Sequence, residues 1–302
     1  MKEANVVSVS DAIFENVRVR FEPEYGCVWA SMRYPSRPCM STGLLTDLAH
    51  AQVMIRDVAR AGHQAGETDR LRYQVLSSDL PGVFSLGGDL AYFIRLIRER
   101  NRDGLSRYAQ TCIDILYPSY TGYGLPFTSI ALVQGEALGG GFEAALAAKV
   151  IIAEEGSTFG FPESLFGLFP GMGAFTFLAR RLSPALAKRI ITSGKVYTAE
   201  ELYDLGIVDV LAEAGKGVAA AYQYMAHQHS RAQGYFALDQ VMERFNPVSR
   251  EELLGVADIW VDTALQLSER NLRVMEYLLQ AQARRWSNGA DEQQSVAASA
   301  AG

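Results

Sequence analysis

Residues 129–153 read SIALVQGEALGGGFEAALAAKVIIA, and the order of residue types in this stretch decides the fold class. Ser129–Val133 (SIALV) and Val150–Ala153 (VIIA) are short apolar runs suited to buried strands. Between them, three glycines lead into Phe, Ala and Leu around a single glutamate, so a turn passes into a helix. A strand–turn–helix–strand unit is the crossover that parallel strands need, and it predicts an α/β protein. Working outward, Phe14–Phe21 (FENVRVRF) alternates apolar and polar residues, as a strand does. Gly26–Met32 (GCVWASM) and Arg72–Ser77 (RYQVLS) are further strands, the second stopped by SSDLPG. Gly43–Ala61 carries apolar residues at helical spacing. Beyond Ala174, AFTFLARRL, PALAKRIITSG and TAEELYDLG each predict a short helix, the last two stopped by Gly194 and Gly206. From Gly215 to about Arg285 the pattern is helical, with breaks near Gly234 and Pro247. The expected organisation is an α/β core over 1–210, a helical region over 211–286 and a small, polar, disordered tail over 287–302.

Bulk properties exclude several classes. A net charge of −6 speaks against nucleic acid as the main partner, because phosphate binding needs a basic excess. No apolar run approaches the length of a bilayer span, and the charged N-terminus does not read as a signal peptide. Three cysteines, Cys27, Cys39 and Cys112, show no CxxC spacing and suit reduced thiols, so a cytoplasmic setting is expected. His227 and His229 have HxH spacing, but on a helix their rings point apart, so a solvated helix face is expected there and no metal or other cofactor.

Three motifs carry the chemistry. In Phe84–Asp89 (FSLGGD), Gly87 and Gly88 sit where a strand gives way to a helix, with Asp89 placed to cap it. Alone this motif is no more than a capped tight turn. In Gly139–Glu143 (GGGFE), Gly139 and Gly140 again free backbone N–H groups at a helix start. Two such junctions can aim one N–H each at a single oxygen, the geometry of an oxyanion hole. Glu143 is the sole charge within ALGGGFEAALAA, which is costly unless the group has a role or a partner. Glu163, in Phe159–Gly173 (FGFPESLFGLFPGMG), is the only charge between Glu155 and Arg180. Burial there raises its pKa into the range of general acid–base work, whereas a loop turned to solvent leaves it ordinary.

In order and spacing these motifs resemble the crotonase, or enoyl-CoA hydratase/isomerase, superfamily, and SGKVYTAEELYDLGIVDVL continues the likeness. The resemblance covers roughly residues 70–210. It implies a spiral of ββα turns with C-terminal helices that assemble trimers or hexamers. It places oxyanion donors on the N–H groups of Gly88, with Gly87 beside it, and Gly140, and the paired carboxylates on Glu143 and Glu163. Keeping both glutamates implies hydration or dehydration. LGGD, PGMGAFT and the segment YPSYTGYGLPFTS depart from ordinary hydratases and look like the diffusible signal factor synthases. That subgroup dehydrates 3-hydroxyacyl-acyl-carrier-protein and hydrolyses the cis-2-enoyl thioester to a free fatty acid. A conventional enoyl-CoA hydratase is the alternative, and a non-catalytic acyl-chain binder or regulator-docking protein is the alternative from another class.

Acyl-pocket candidates are Leu138, Gly139 and Met172, together with Trp260, whose simpler reading is plain core. A single helix over Leu90–Tyr108 carries Arg95, Arg98, Arg100, Arg102 and Arg107. Arg95, Arg98 and Arg102 would share one face, suited either to acidic acyl carrier protein or to intrahelical pairs such as Arg95–Glu99.

Overall fold

A computed structural model describes residues 11–66, 71–229 and 232–283. In chain order it contains β1 (Ala12–Ile13), β2 (Val17–Glu22), β3 (Cys27–Met32), α1 (Thr42–Ala65), β4 (Tyr73–Ser78) and β5 (Gly82–Ser85). Next come α2 (Leu90–Arg98), α3 (Arg102–Tyr120), β6 (Thr128–Val133), β7 (Gly135–Leu138), α4 (Gly140–Leu146), β8 (Val150–Glu154) and β9 (Thr158–Gly160). A 3-10 turn, Pro162–Phe166, precedes α5 (Ala174–Arg181), α6 (Pro184–Ser193), β10 (Val196–Thr198), α7 (Ala199–Asp204) and β11 (Val210–Ala212). Helices α8 (Gly217–His229), α9 (Ala232–Phe245), α10 (Arg250–Ala264) and α11 (269–283) follow. The segment 287–302, expected to be disordered, lies outside the described residues. No helix among the described residues is long and apolar enough to cross a membrane.

The strands form two sheets, ordered β1-β2-β3-β4-β6-β8-β11 and β10-β9-β7-β5. Successive turns of chain send one strand to each sheet: β4 then β5, β6 then β7, β8 then β9. Within each sheet these strands run parallel. This is the ββα spiral that the resemblance implied. Strands β2, β3, β4, β6 and β8 of the large sheet correspond to those read from sequence, while the shorter β1 and β11 at its edges were not read. The small sheet went unread, because its strands are three or four residues long and rich in glycine, too short to show a period of two.

Side chains alternate across the large sheet. Tyr73, Val75, Ile130 and Ile152 pack under α8 through Ala221 and Met225. Val28, Ala30, Ala131 and Ile151 face the other way, toward α1 and α3. Helix α1 starts where the Ser41 hydroxyl accepts from Leu44 N–H and stops at Gly66, whose left-handed φ of 67° suits glycine. Its Leu44 and Ile55 are fully buried, and each such side chain contributes about 1.5–3 kcal/mol.

The single helix expected over Leu90–Tyr108 is instead two. The chain breaks at Arg100, which takes a positive φ of 50°, and Asn101 caps α3 by accepting from Gly104 N–H. The shared arginine face is lost with it. Arg98 pairs with Glu269 and Glu276, and Arg102 with Asp258 and Asp262, so these cations meet the acidic flanks of α10 and α11. The expected basic docking face is therefore corrected: in Arg98 and Arg102 it is a seam between α2/α3 and the C-terminal helices.

Candidate active site

Each motif follows one strand of the small sheet. FSLGGD leaves β5, GGGFE leaves β7, and the 3-10 turn holding Glu163 leaves β9. Because β5, β7 and β9 are neighbours in that sheet, the three motifs stand side by side. Gly87 has a φ of 102° and Gly139 a φ of 49°, both in the region that favours glycine. The two glycine turns abut: a Cβ on Gly140 would lie 3.5 Å from Gly88 N, and one on Gly87 would lie 3.5 Å from Gly140 N. Neither the Gly88 nor the Gly140 N–H has an acceptor among the described residues. Asp89 caps α2, accepting from Tyr92 N–H at 3.1 Å, and meets Arg37 at 3.4 Å.

Glu143 lies in the first turn of α4 and is 2% exposed. Its Oε1 accepts from Met172 N–H at 2.7 Å and Ala174 N–H at 3.1 Å, which locks the carboxyl to the motif that carries Glu163. Burial pushes its pKa up to about 7, against the opposing pull of those two N–H groups. Glu163 is raised further, to about 8, first by burial and then by the charge of Glu143. Its Oε1 lies over Gly139, where a Cβ would approach to 2.5 Å, so the glycine makes room for the carboxyl. Among the described residues, Glu163 Oε2 is enclosed without a hydrogen-bond partner. A buried oxygen left unpaired in this way is suited to a ligand's polar group.

Both glutamates, Gly88 and Gly140 line one cavity, together with Met172 and Trp260. Trp260 is also core, packed edge-on against Phe93 at 5.2 Å. Leu138 and Gly139 line an adjoining cavity instead, which shares Gly88 and Glu163 with the first and is closed by Leu278 and Gln282. The rest of the first cavity runs between α1 and α3 through Leu45, Leu48, Ile55, Tyr108, Ile115 and Leu116, none of which the motifs marked. Two amides, Gln52 and Gln74, also line it. Their signal was present in the sequence: Leu45, Leu48, Gln52, Ile55 and Ala59 follow helical spacing, so Gln52 occupies an apolar position.

The sequence profile of the enoyl-CoA hydratase/isomerase family matches residues 49–267. The chain belongs to this family. Among curated family proteins, the probable mitochondrial enoyl-CoA hydratase 2 of Arabidopsis thaliana is 30% identical over 175 residues, 58% of this chain and 56% of that protein. The chain thus spans about half the length of the curated relatives it matches. The family fold agrees with solved structures. Enoyl-CoA hydratase from Bacillus halodurans superposes with a TM-score of 0.72 at 20% identity, covering 86% of this chain and all of that one. Pseudomonas aeruginosa DspI superposes with a TM-score of 0.63 at 22% identity, covering 82% and 94%. In this family member, the GGGFE and FPES motifs both fall inside the matched span.

Proposed function

We propose that this chain dehydrates 3-hydroxyacyl thioesters, carried on acyl carrier protein or coenzyme A, and then hydrolyses the enoyl thioester to a free cis-2-unsaturated fatty acid. The observation that carries the reading is the Glu143 and Glu163 carboxyls beside two backbone N–H groups that have no acceptor among the described residues, all lining one apolar cavity. The thioester carbonyl accepts from Gly88 and Gly140, which hold the negative charge that develops on its oxygen. One carboxylate removes the C2 proton. The other carboxyl, still protonated, donates to the C3 oxygen, the C3–O bond breaks and water leaves. Both carboxyls bind protons more tightly than a free glutamate, Glu163 the more so because of the charge of Glu143, so one can be ionised while the other keeps its proton, the state this step requires. For hydrolysis, a carboxylate takes a proton from that water as its oxygen bonds to the carbonyl carbon. The same two N–H groups hold the tetrahedral oxyanion, and the C–S bond breaks as the sulfur takes up the proton.

The departures LGGD and PGMGAFT support this reading over a conventional hydratase, and the retained glutamate pair supports it over a pure binder. Purified protein given 3-hydroxyacyl thioesters on either carrier should release free cis-2-enoic acid, detected by mass spectrometry. Accumulation of a trans-2-enoyl thioester with no free acid would assign conventional hydratase chemistry instead.

A further inference from the structure

The cavity does not end as it begins. Met40, which bridges Gly88, immediately precedes the Ser41 cap of α1, and Gln52 lies ten residues into that helix after Thr42. At 1.5 Å per residue this places Gln52 about 15 Å beyond the paired glycine turns. Helix α3 agrees: the Tyr108 hydroxyl donates to Met40 O, while Ile115 and Ser119 lie two to three turns further on. Toward this end, with Ile55 one turn further along α1 and also lining the cavity, the Gln52 Nε2 donates to Ile115 O at 2.7 Å. Gln74 points from β4 into the same side of the sheet as Ala30 and Leu76, and its Oε1 accepts from the Tyr123 hydroxyl at 2.5 Å. Tyr123 takes a φ of 59°, a conformation a non-glycine side chain adopts only where its surroundings impose it.

These bonds fix what each amide has left. Among the described residues, Gln52 Oε1 and Gln74 Nε2 make no hydrogen bond, so one acceptor and one donor turn to the cavity that both residues line. Both residues are nine-tenths buried or more, at 8% and 4% exposed. An alkyl terminus pressed against such groups strips them of water without replacing its hydrogen bonds, which costs binding.

We propose that Gln52 and Gln74 are specificity-determining residues, a polar stop that sets the longest straight acyl chain the cavity accepts. The proposal rests on the thioester reading above and adds the end of the substrate that the catalytic groups never touch. Below the stop, each added methylene strengthens binding about fourfold. At the stop the gain ends and reverses.

The test is binding of a homologous series of straight-chain free fatty acids, by calorimetry, to wild type and to Gln52→Met and Gln74→Met, alongside kcat/KM for the matching thioesters. The near-isosteric variants remove the polar groups while keeping volume. Affinity for the acid two methylenes beyond the wild-type optimum, relative to the optimum, should rise roughly tenfold in either variant, and the kcat/KM ratio should follow. A length profile unchanged in a folded variant overturns the proposal, and so does a loss of equal size at every length. If Gln74→Met fails to fold for want of its Tyr123 partner, Gln52→Met decides alone. Fatty-acid binding needs no turnover, so a protein that binds acids with the expected shift yet dehydrates nothing would sink the proposed activity and leave the stop standing.

Discussion

The first turn of α4 and the 3-10 turn Pro162–Phe166 each carry one glutamate in apolar surroundings, but they hold it in opposite ways. Glu143 is tethered: two backbone N–H groups from the Met172–Ala174 turn fix one carboxyl oxygen. Glu163 rests in a space made by a missing side chain, that of Gly139, and one of its oxygens is enclosed with no hydrogen-bond partner among the described residues. The tether lowers the cost of charge on Glu143, and the like charge of Glu143 raises it on Glu163. Identical groups thereby acquire different proton affinities, which lets one be ionised while the other keeps its proton.

Removing either carboxyl breaks the comparison at its strongest point. Glu143→Gln and Glu163→Gln should each lower kcat for dehydration by about 100- to 10,000-fold, with near-ultraviolet circular dichroism unchanged. The double variant should be little worse than either single one, since both groups serve one step. Either single variant turning over near the wild-type rate would end the two-carboxyl mechanism.

A smaller effect separates the untethered glutamate from the tethered one. Gly139→Ala puts a Cβ 2.5 Å from Glu163 Oε1, and displacement of a reacting group on the scale of an ångström should cost about 100-fold in kcat/KM. Gly156→Ala is the control. It has the same kind of positive φ, 82°, with nothing within 4 Å of the new Cβ, so it should lose stability without the loss of rate. Equal rate losses in the two variants would show that backbone strain, and not the displaced carboxyl, is responsible.

The smallest effect is on stability. Both carboxyls have folded pKa values, about 7 and about 8, above the ordinary glutamate value of 4.5. The folded chain therefore holds these protons more tightly than the unfolded chain does. The resulting stabilisation is fully present below pH 4.5 and is lost as pH rises through the two folded values. Glu163→Gln cannot acquire the buried charge, so its Tm should exceed that of wild type by several degrees at pH 9, and the gap should close near pH 4.5. Glu143→Gln should show a smaller gap, because it also gives up a charge-assisted tether. Calorimetric scans across that range measure both, and equal gaps would mean the tether does little.

How much of this was legible follows from length and pattern. Strands β3, β4, β6 and β8 and helix α1 are long enough for their periodicity to show. The three site motifs stood out because a lone charge among alanines, or between Phe, Gly and Pro, is costly without a reason. The break at Arg100 was not legible, since nothing in RERNRDG forbids a continuous helix. It falls where Asn101 caps α3, and on either side Arg98 and Arg102 meet acids 171 and 160 residues away in sequence.

By itself, then, the sequence pointed to the α/β class, the family and the two lone glutamates, because each depends on residue type and near neighbours alone. Only the tertiary structure decided that the three motifs meet, since that depends on β5, β7 and β9 pairing in order in a sheet too short-stranded to announce itself. It also decided which distant residues share the cavity, because Gln52 and Gln74 come to line the same space only when α1 packs against α3 and the large sheet. Contacts between residues distant in the chain are set by the packing of whole elements, which local pattern does not encode.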